Sequence, residues 1–159
     1  MPSVNDVAAA ILEETGPIDT FKLQKLVYYS QAWHLVWNDE PLFAEPIEAW
    51  AGGPVVRSLY DGHRGSYAVS GWKWGDPTRL SKSERETVRI IVRTYGRLSG
   101  RQLSTLTHSE SPWRTARGEL GPGDRGNRVI DLDEIKDYYA ALDQADDATP
   151  IESFTPSFP

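Results

Sequence analysis

Apolar residues recur with the spacing of an amphipathic helix through most of the chain. The first stripe predicts a helix from about Val4 to Glu14, and Ser3 with Asp6 can form a capping box at its start. The second stripe predicts a helix from Thr20 to about Trp37, with Asp19 as its N-cap. Because apolar residues cover nearly every face of this second helix, we expect it to be the central, buried one.

Cap and proline signals mark the starts of the later helices. In chain order they are Pro54, Ser81 with Glu84, Ser99, Ser111 with Pro112, and Asp131 with Glu134. Proline is favoured at the first helical position, so Pro54 predicts a short helix that runs to about Tyr60. The pattern as a whole predicts about seven helices.

Two short segments have the character of strands. Ile47–Trp50 alternates apolar and polar residues before a Gly-Gly break, and Val129–Ile130 is a second short strand. Asp61–Pro77 is predicted to be a loop, which carries two tryptophans that either contribute to function or cover the core from outside. The expected fold is therefore a mainly α single domain with a small two-stranded β element. From residue 143 onward the acidic, proline-rich composition predicts a tail that is disordered when free.

Composition and charge narrow the functional class. The chain has 159 residues, no cysteine and a formal net charge of −6. The absence of cysteine excludes disulfides, thiol nucleophiles and cysteine-ligated metals. The acidic balance disfavours nucleic-acid binding, although four arginines at four-residue spacing could form a local basic stripe instead of an ordinary solvated face. They are Arg85, Arg89, Arg93 and Arg97. With no secretory signal and no apolar run of about 20 residues, we expect a cytoplasmic protein without a membrane span.

Histidines and carboxylates offer few catalytic arrangements. The chain has no glycine-rich phosphate-binding motif and no nucleophile elbow. His34 lies on the inner face of the central helix, where a hydrogen-bonded core histidine is expected. His63 and His108 would bind a metal only if the fold brought them together with a carboxylate. We therefore expect no metal, no cofactor and no catalytic residue, and the alternative enzyme hypothesis rests on Glu48, His34 and His108.

Four sequence blocks lie in order between Asp19 and Trp113. They are Lys22–His34, Glu40–Phe43 with Pro46–Trp50, Gly53–Val56 with Leu59–Tyr60, and Leu106–His108 with Ser111–Trp113. In order and spacing these blocks resemble the Panacea antitoxin-domain family, which includes SocA-like and phage-associated proteins. On this resemblance, residues 1–142 form a Panacea-type domain and residues 143–159 form the acidic tail.

The resemblance implies an antitoxin of a bacterial or prophage toxin–antitoxin pair. Such a protein binds a toxin that is encoded by the adjacent gene and blocks its activity, while one branch of the family resembles a proteolytic adaptor that delivers the toxin to an AAA+ protease. The toxin and the oligomeric state stay open, and we expect Asp61–Gly75 and the tail to supply specificity. The residues predicted to bind the partner are Lys25, Tyr28, Tyr29, Glu48, Trp50, Pro54, Tyr60, Trp72, Trp74, His108 and Trp113.

Overall fold

The computed structural model describes residues 1–145, and helices account for most of them. The helices are α1 (Val4–Thr15), α2 (Thr20–Asn38), α3 (Arg57–His63), α4 (Lys82–Tyr95), α5 (Gly100–Ser109), α6 (Ser111–Arg117) and α7 (Leu132–Ala145), with a 3-10 turn at Pro77–Arg79. The strands are β1 (Ile18–Asp19), β2 (Glu48–Trp50), β3 (Gly53–Val55) and β4 (Ala68–Val69). They form two antiparallel pairs, β1 with β4 and β2 with β3. The predicted mainly α fold class with a small β component is confirmed.

Side-chain caps set the helix starts that the sequence predicts. Ser3 and Asp6 form a capping box at α1, in which each residue's side chain accepts from the other's backbone N–H. The Asp19 carboxylate accepts from the backbone N–H of Lys22 at the start of α2. Capping boxes also open α4 at Ser81 and α5 at Ser99. Each cap satisfies backbone donors that the first helical turn leaves unpaired.

Helix α2 is the centre of the fold. Every residue from Leu23 to Leu35 is buried, because the helix packs against α1, α4, α5 and α7 on different sides. This explains why apolar residues cover nearly all of its faces. The prediction of a central, buried helix is therefore confirmed, and the polar residues between Leu23 and Leu35 are buried together with the apolar ones.

The segment around Pro54 differs from the prediction. Pro54 lies in the middle of β3 opposite Ala49, and the helix that it was expected to open begins only at Arg57. The strand tolerates proline because the Ala49 N–H points away from β3 and donates to the Arg128 carbonyl at 2.8 Å. The Ala49–Pro54 pair is therefore a non-hydrogen-bonded pair, in which the missing N–H of proline costs no ladder bond.

The predicted second strand at Val129–Ile130 is a single bridge. Val129 pairs with Glu48 on the outer side of β2, and the Ile130 N–H donates to the Ile47 carbonyl at 2.8 Å. The main partner of β2 is β3, because only two residues separate these strands and their pairing closes the smaller loop.

Part of the predicted Asp61–Pro77 loop has regular structure. Residues 61–63 form the end of α3, and Ala68–Val69 forms β4, which pairs with Ile18–Asp19. The Tyr67 carbonyl also accepts from the Thr20 N–H at 2.9 Å, which ties the loop to the start of α2. Each strand of this pair has only two residues, which is too short for an alternation of apolar and polar residues to be recognised from the sequence.

The C-terminal helix continues to Ala145, so the first three residues of the tail predicted from residue 143 are helical, and residues 146–159 lie outside the described residues. Among residues 1–145, no helix combines the length and apolar character needed to cross a membrane.

Candidate functional site

The β2–β3 hairpin presents Trp50 at the surface. The indole Nε1 donates to Glu48 Oε1 at 2.8 Å, and the Tyr60 ring packs edge-on against Trp50 with centroids 4.9 Å apart. The Arg57 guanidinium lies 5.3 Å from the centre of the Trp50 ring and pairs with Glu48 at 3.1 Å. Trp50 and Tyr60 are only partly exposed, so these contacts hold two aromatic rings in place while leaving part of each accessible.

Trp113 continues this aromatic surface on α6. Its Nε1 donates to the Trp50 carbonyl at 2.8 Å, and its ring stacks on His108 with centroids 4.0 Å apart and planes within 8°. Arg117 lies 5.5 Å from the centre of the Trp113 ring. The hairpin, α5 and α6 therefore share one surface, although Trp50 precedes His108 and Trp113 by more than 50 positions in the chain.

Arg117 fixes the glycine-rich loop that borders this surface. Its side chain is buried and donates to the carbonyls of Gly121 and Asp124, both at 2.9 Å. The Gly121 N–H in turn donates to the Asp124 carboxylate at 2.8 Å. A buried charge is tolerated here because carbonyl oxygens accept its hydrogen bonds. The loop thus has a defined position beside Trp113.

Lys25 of α2 lies at the base of a small cavity, which we call the Lys25 pocket. The cavity has a volume of about 190 Å³. Its lining includes Phe21, Gln24, Lys25, Trp50, Tyr60, His63 and Arg64. Lys25 is fully buried, and its Nζ has no hydrogen-bond partner among residues 1–145. The ammonium lies 4.4 Å from the centre of the Phe21 ring. Burial lowers the pKa of Lys25 to about 7, although the Asp19 carboxylate partly opposes this shift.

Gly53 lets the backbone of β3 pass directly over Lys25. Its φ of 127° lies in the region that favours glycine, and a Cβ there would come within 2.5 Å of Lys25 Cε. Any other residue would have to displace the lysine side chain. The position of the Lys25 side chain therefore depends on the absence of a side chain at residue 53.

The Lys25 pocket borders on two larger cavities, and we call the three adjacent cavities together the basic trough. A cavity of about 630 Å³ shares Trp50 and Tyr60 with the pocket, and a cavity of about 760 Å³ shares Ala51 and Gly123 with that second cavity. The cationic residues that line the three cavities are Lys25, Arg57, Arg64, Arg114, Arg117 and Arg125. None of the lining residues that the structure describes is Asp or Glu. A chain of net charge −6 thus has a surface depression of the opposite sign.

The histidines near Lys25 are neutral at physiological pH. Burial lowers the pKa of His63 and of His108, and the nearby charge of Lys25 lowers both further. His63 accepts a hydrogen bond from Gln24 Nε2 at 3.0 Å, whereas His108 Nε2 has no partner within residues 1–145. Of the three groups, Lys25 therefore carries most of the positive charge at neutral pH.

Tyr28 and Tyr29, which were predicted to bind the partner, are buried in the core. The Tyr28 hydroxyl lies 3.1 Å from that of Tyr139, and the Tyr29 hydroxyl donates to Glu110 at 2.6 Å. Tyr139 donates to the same Glu110 oxygen at 2.7 Å. Burial raises the pKa of Glu110 to about 7, and the two hydroxyl donors partly oppose this shift. These residues form a polar cluster between α2, α7 and the start of α6, out of contact with solvent.

The two loop tryptophans have different environments. Trp72 is buried and donates to Asn5 Oδ1 at 2.9 Å, so it covers the core beside α1. Trp74 is 52% exposed, packs against Trp72 with centroids 5.0 Å apart, and has the Lys73 ammonium 4.9 Å from its ring centre. Neither lines the basic trough.

The residues of the alternative enzyme hypothesis bond to groups on different elements. His34 is buried and its Nδ1 lies 2.8 Å from Thr87 Oγ1 on α4. Glu48 accepts from Trp50 and Arg57, and His108 stacks on Trp113. Among the described residues, no cluster of three or more His, Asp or Glu side chains could hold a metal ion.

Five predicted residues line the basic trough, namely Lys25, Trp50, Tyr60, His108 and Trp113. Glu48 lies beside it through Arg57, and Pro54 lies in β3. The sequence did not indicate Arg57, Arg114 or Arg125, because they come from separate segments without a shared period. The sequence did not indicate Phe21 either, because nothing in the pattern distinguishes it from the other apolar residues of α2.

Comparisons with known proteins agree on one family. The family described as "Antitoxin SocA-like, Panacea domain" matches residues 23–114. The chain is 30% identical over 143 residues to Antitoxin SocA of Caulobacter vibrioides (strain NA1000 / CB15N), and the match covers 77% of this chain and 72% of that protein. No solved structure matches the chain. The family match begins inside α2 and ends inside α6. It therefore covers Lys25, Trp50, Tyr60, His108 and Trp113 of the basic trough, but not Arg117, Arg125 or the glycine-rich loop.

Proposed function

This chain belongs to the SocA-like antitoxin family, which carries the Panacea domain, and we propose that it neutralises a protein toxin by binding it directly. The toxin would be the product of the adjacent gene, present in the same cytoplasm. The chain would act by occupying the toxin's surface, without a catalytic step, a metal or a cofactor.

The observation that carries this proposal is the rigid aromatic surface of the basic trough. Trp50, Tyr60 and Trp113 are each partly exposed and held by a hydrogen bond or ring contact. Tryptophan, tyrosine and arginine dominate the binding energy of protein interfaces, where they fill pockets near the centre. Rings that are already ordered lose little conformational entropy on binding. The trough therefore combines the residue types and the preorganisation that a tight protein interface needs.

The charge of the trough adds a second supporting feature. Arg64, Arg114 and Arg125 are exposed and form no ion pair with a carboxylate of residues 1–145. Opposite charge on the toxin would speed association and fix the orientation of the complex.

The test is coexpression of this chain with the product of the adjacent gene, in cells with and without their AAA+ proteases. Rescue of growth and a copurifying complex in protease-deficient cells are the expected results. Rescue that requires the protease would instead identify a proteolytic adaptor. A harmless neighbour, or a toxic one that never copurifies, contradicts the proposal.

Two charge reversals then locate the interface. Arg114→Glu and Arg125→Glu, made separately, place a carboxylate in the basic trough, and we expect each to weaken the complex by about tenfold or more. Lys82→Glu is the matched control, since Lys82 is exposed on α4 and no residue of α4 lines the trough. Equal effects of all three substitutions would show that only net charge matters and that the toxin binds elsewhere.

A further inference from the structure

The Lys25 amine is a buried donor group without an acceptor. Its Nζ lies beside the Phe21 ring and the Gly53 backbone, and no oxygen or ring nitrogen of residues 1–145 accepts from it. Nearby Gln24, by contrast, satisfies its amide with the Val56 backbone and His63. A buried ammonium normally has a hydrogen-bonded, oppositely charged partner. Lys25 has no such partner within residues 1–145.

The size and lining of the Lys25 pocket restrict which group could pair with the Lys25 amine. A volume of about 190 Å³ is smaller than the roughly 300 Å³ at which small-molecule sites begin, but it can hold one side chain. The lining includes the rings of Phe21, Trp50 and Tyr60, and the last two also line the next cavity of the basic trough. An acidic side chain on an extended segment fits this lining, with its stem against the rings and its carboxylate directed toward the buried Nζ.

We propose that the Lys25 pocket receives an aspartate or glutamate side chain from an acidic segment of the toxin, and that the neighbouring residues of that segment lie along the basic trough. This inference rests on the proposed function, because it names the chemistry of the surface that the toxin presents. The six cationic lining residues and the absence of Asp and Glu from the described lining favour an acidic occupant over a neutral one.

Proton uptake is a measurable consequence of this pairing. The charged and titratable groups that face Lys25 are Asp19 from the start of α2, His63 from α3 and His108 from α5. A bound carboxylate keeps Lys25 protonated, whereas the free protein loses this proton above pH 7. The affinity of the wild-type chain should therefore fall by up to about tenfold per pH unit between pH 7 and 9.

The experiment compares Lys25→Met with wild type in binding to the purified product of the adjacent gene, by calorimetry at pH 7 and 9. Methionine has a similar length and volume without the charge. We expect Lys25→Met to weaken binding by about 30-fold or more at pH 7, because a carboxylate would then be buried without its partner. The variant should also lose most of the decrease in affinity between pH 7 and 9. Lys136→Met is the matched control, since Lys136 pairs with Asp39 at the far end of α2 and should bind like wild type.

Each other outcome overturns the inference in a recognisable way. Binding of Lys25→Met within about threefold of wild type, while the wild-type complex is tight, refutes the inference and leaves the proposed function intact. No wild-type complex refutes both. The carboxylates of this chain's own C-terminal segment are tested by changing Asp146 and Asp147 to Asn and Glu152 to Gln. If Lys25→Met no longer affects binding in that background, the carboxylate belongs to this chain and the inference is wrong.

Discussion

Replacing Lys25 with methionine should stabilise the free protein, and the gain should depend on pH. A fall in pKa from 10.5 to about 7 on folding corresponds to about 5 kcal/mol against the charged amine, at roughly 1.4 kcal/mol per pKa unit. Below pH 7 the amine is charged in the folded and the unfolded chain, so the whole cost is present. As pH rises from 7 to 10.5, the folded protein binds fewer protons than the unfolded chain, and the cost disappears progressively.

These values give the expected size of the effect. Lys25→Met should raise the free energy of unfolding by about 5 kcal/mol at pH 6 and by about 2 kcal/mol at pH 9. Urea unfolding followed by tryptophan fluorescence measures both values, because the chain has six tryptophans. Glu110 contributes equally to wild type and variant at each pH, so it cancels from the difference.

Lys22→Met on the same helix is the control. The Lys22 ammonium donates to the Gly96 carbonyl, and its loss should lower the free energy of unfolding by about 1 kcal/mol. Two results would refute the reasoning on Lys25. One is a Lys25→Met protein less stable than wild type at pH 6, and the other is a gain that does not change between pH 6 and 9. Either would mean that the amine already has a partner in the free protein.

Two further substitutions test the polar core. The raised pKa of Glu110 implies that wild type loses about 3 kcal/mol of stability as pH rises from 4.5 to 7, because the folded state holds a proton that the unfolded chain has lost. Glu110→Gln should remove this pH dependence and be more stable than wild type at pH 8. Urea titrations at pH 5 and 8 measure the free energy of unfolding, and a variant less stable than wild type at pH 8 would contradict the prediction. Tyr95→Phe removes the acceptor of the Trp33 indole N–H, 2.9 Å away in the core, and should cost about 1–3 kcal/mol in the same assay. Tyr67→Phe is the control, because Tyr67 is 84% exposed and its substitution should change stability little. Equal losses of stability in Tyr95→Phe and Tyr67→Phe would mean that the buried hydrogen bond does not stabilise the protein.

The sequence by itself determined the helices and their order. Caps such as Ser3 with Asp6 act within a few residues, and the all-round apolar character of α2 already implied neighbours on every side. Both signals are local or periodic, so they can be read along the chain. The wrong predictions of secondary structure lie where pairing between two segments prevailed over the local preference of a residue. Pro54 suits a helix start, but the pairing of β3 with β2 holds it in a strand.

The assembly of the basic trough and its charge were decided by the tertiary structure. Trp50, Tyr60 and Trp113 were predicted from the family resemblance, whereas Arg57 and Arg125 gave no signal, because no period joins them along the chain. The sequence also placed Lys25 on a buried helix without showing that its ammonium would lack an acceptor. Which atoms surround a buried group depends on how several segments that are distant in the chain pack together. Local propensity fixes where a helix begins and ends, but only close packing of the whole chain decides which charges are left unpaired.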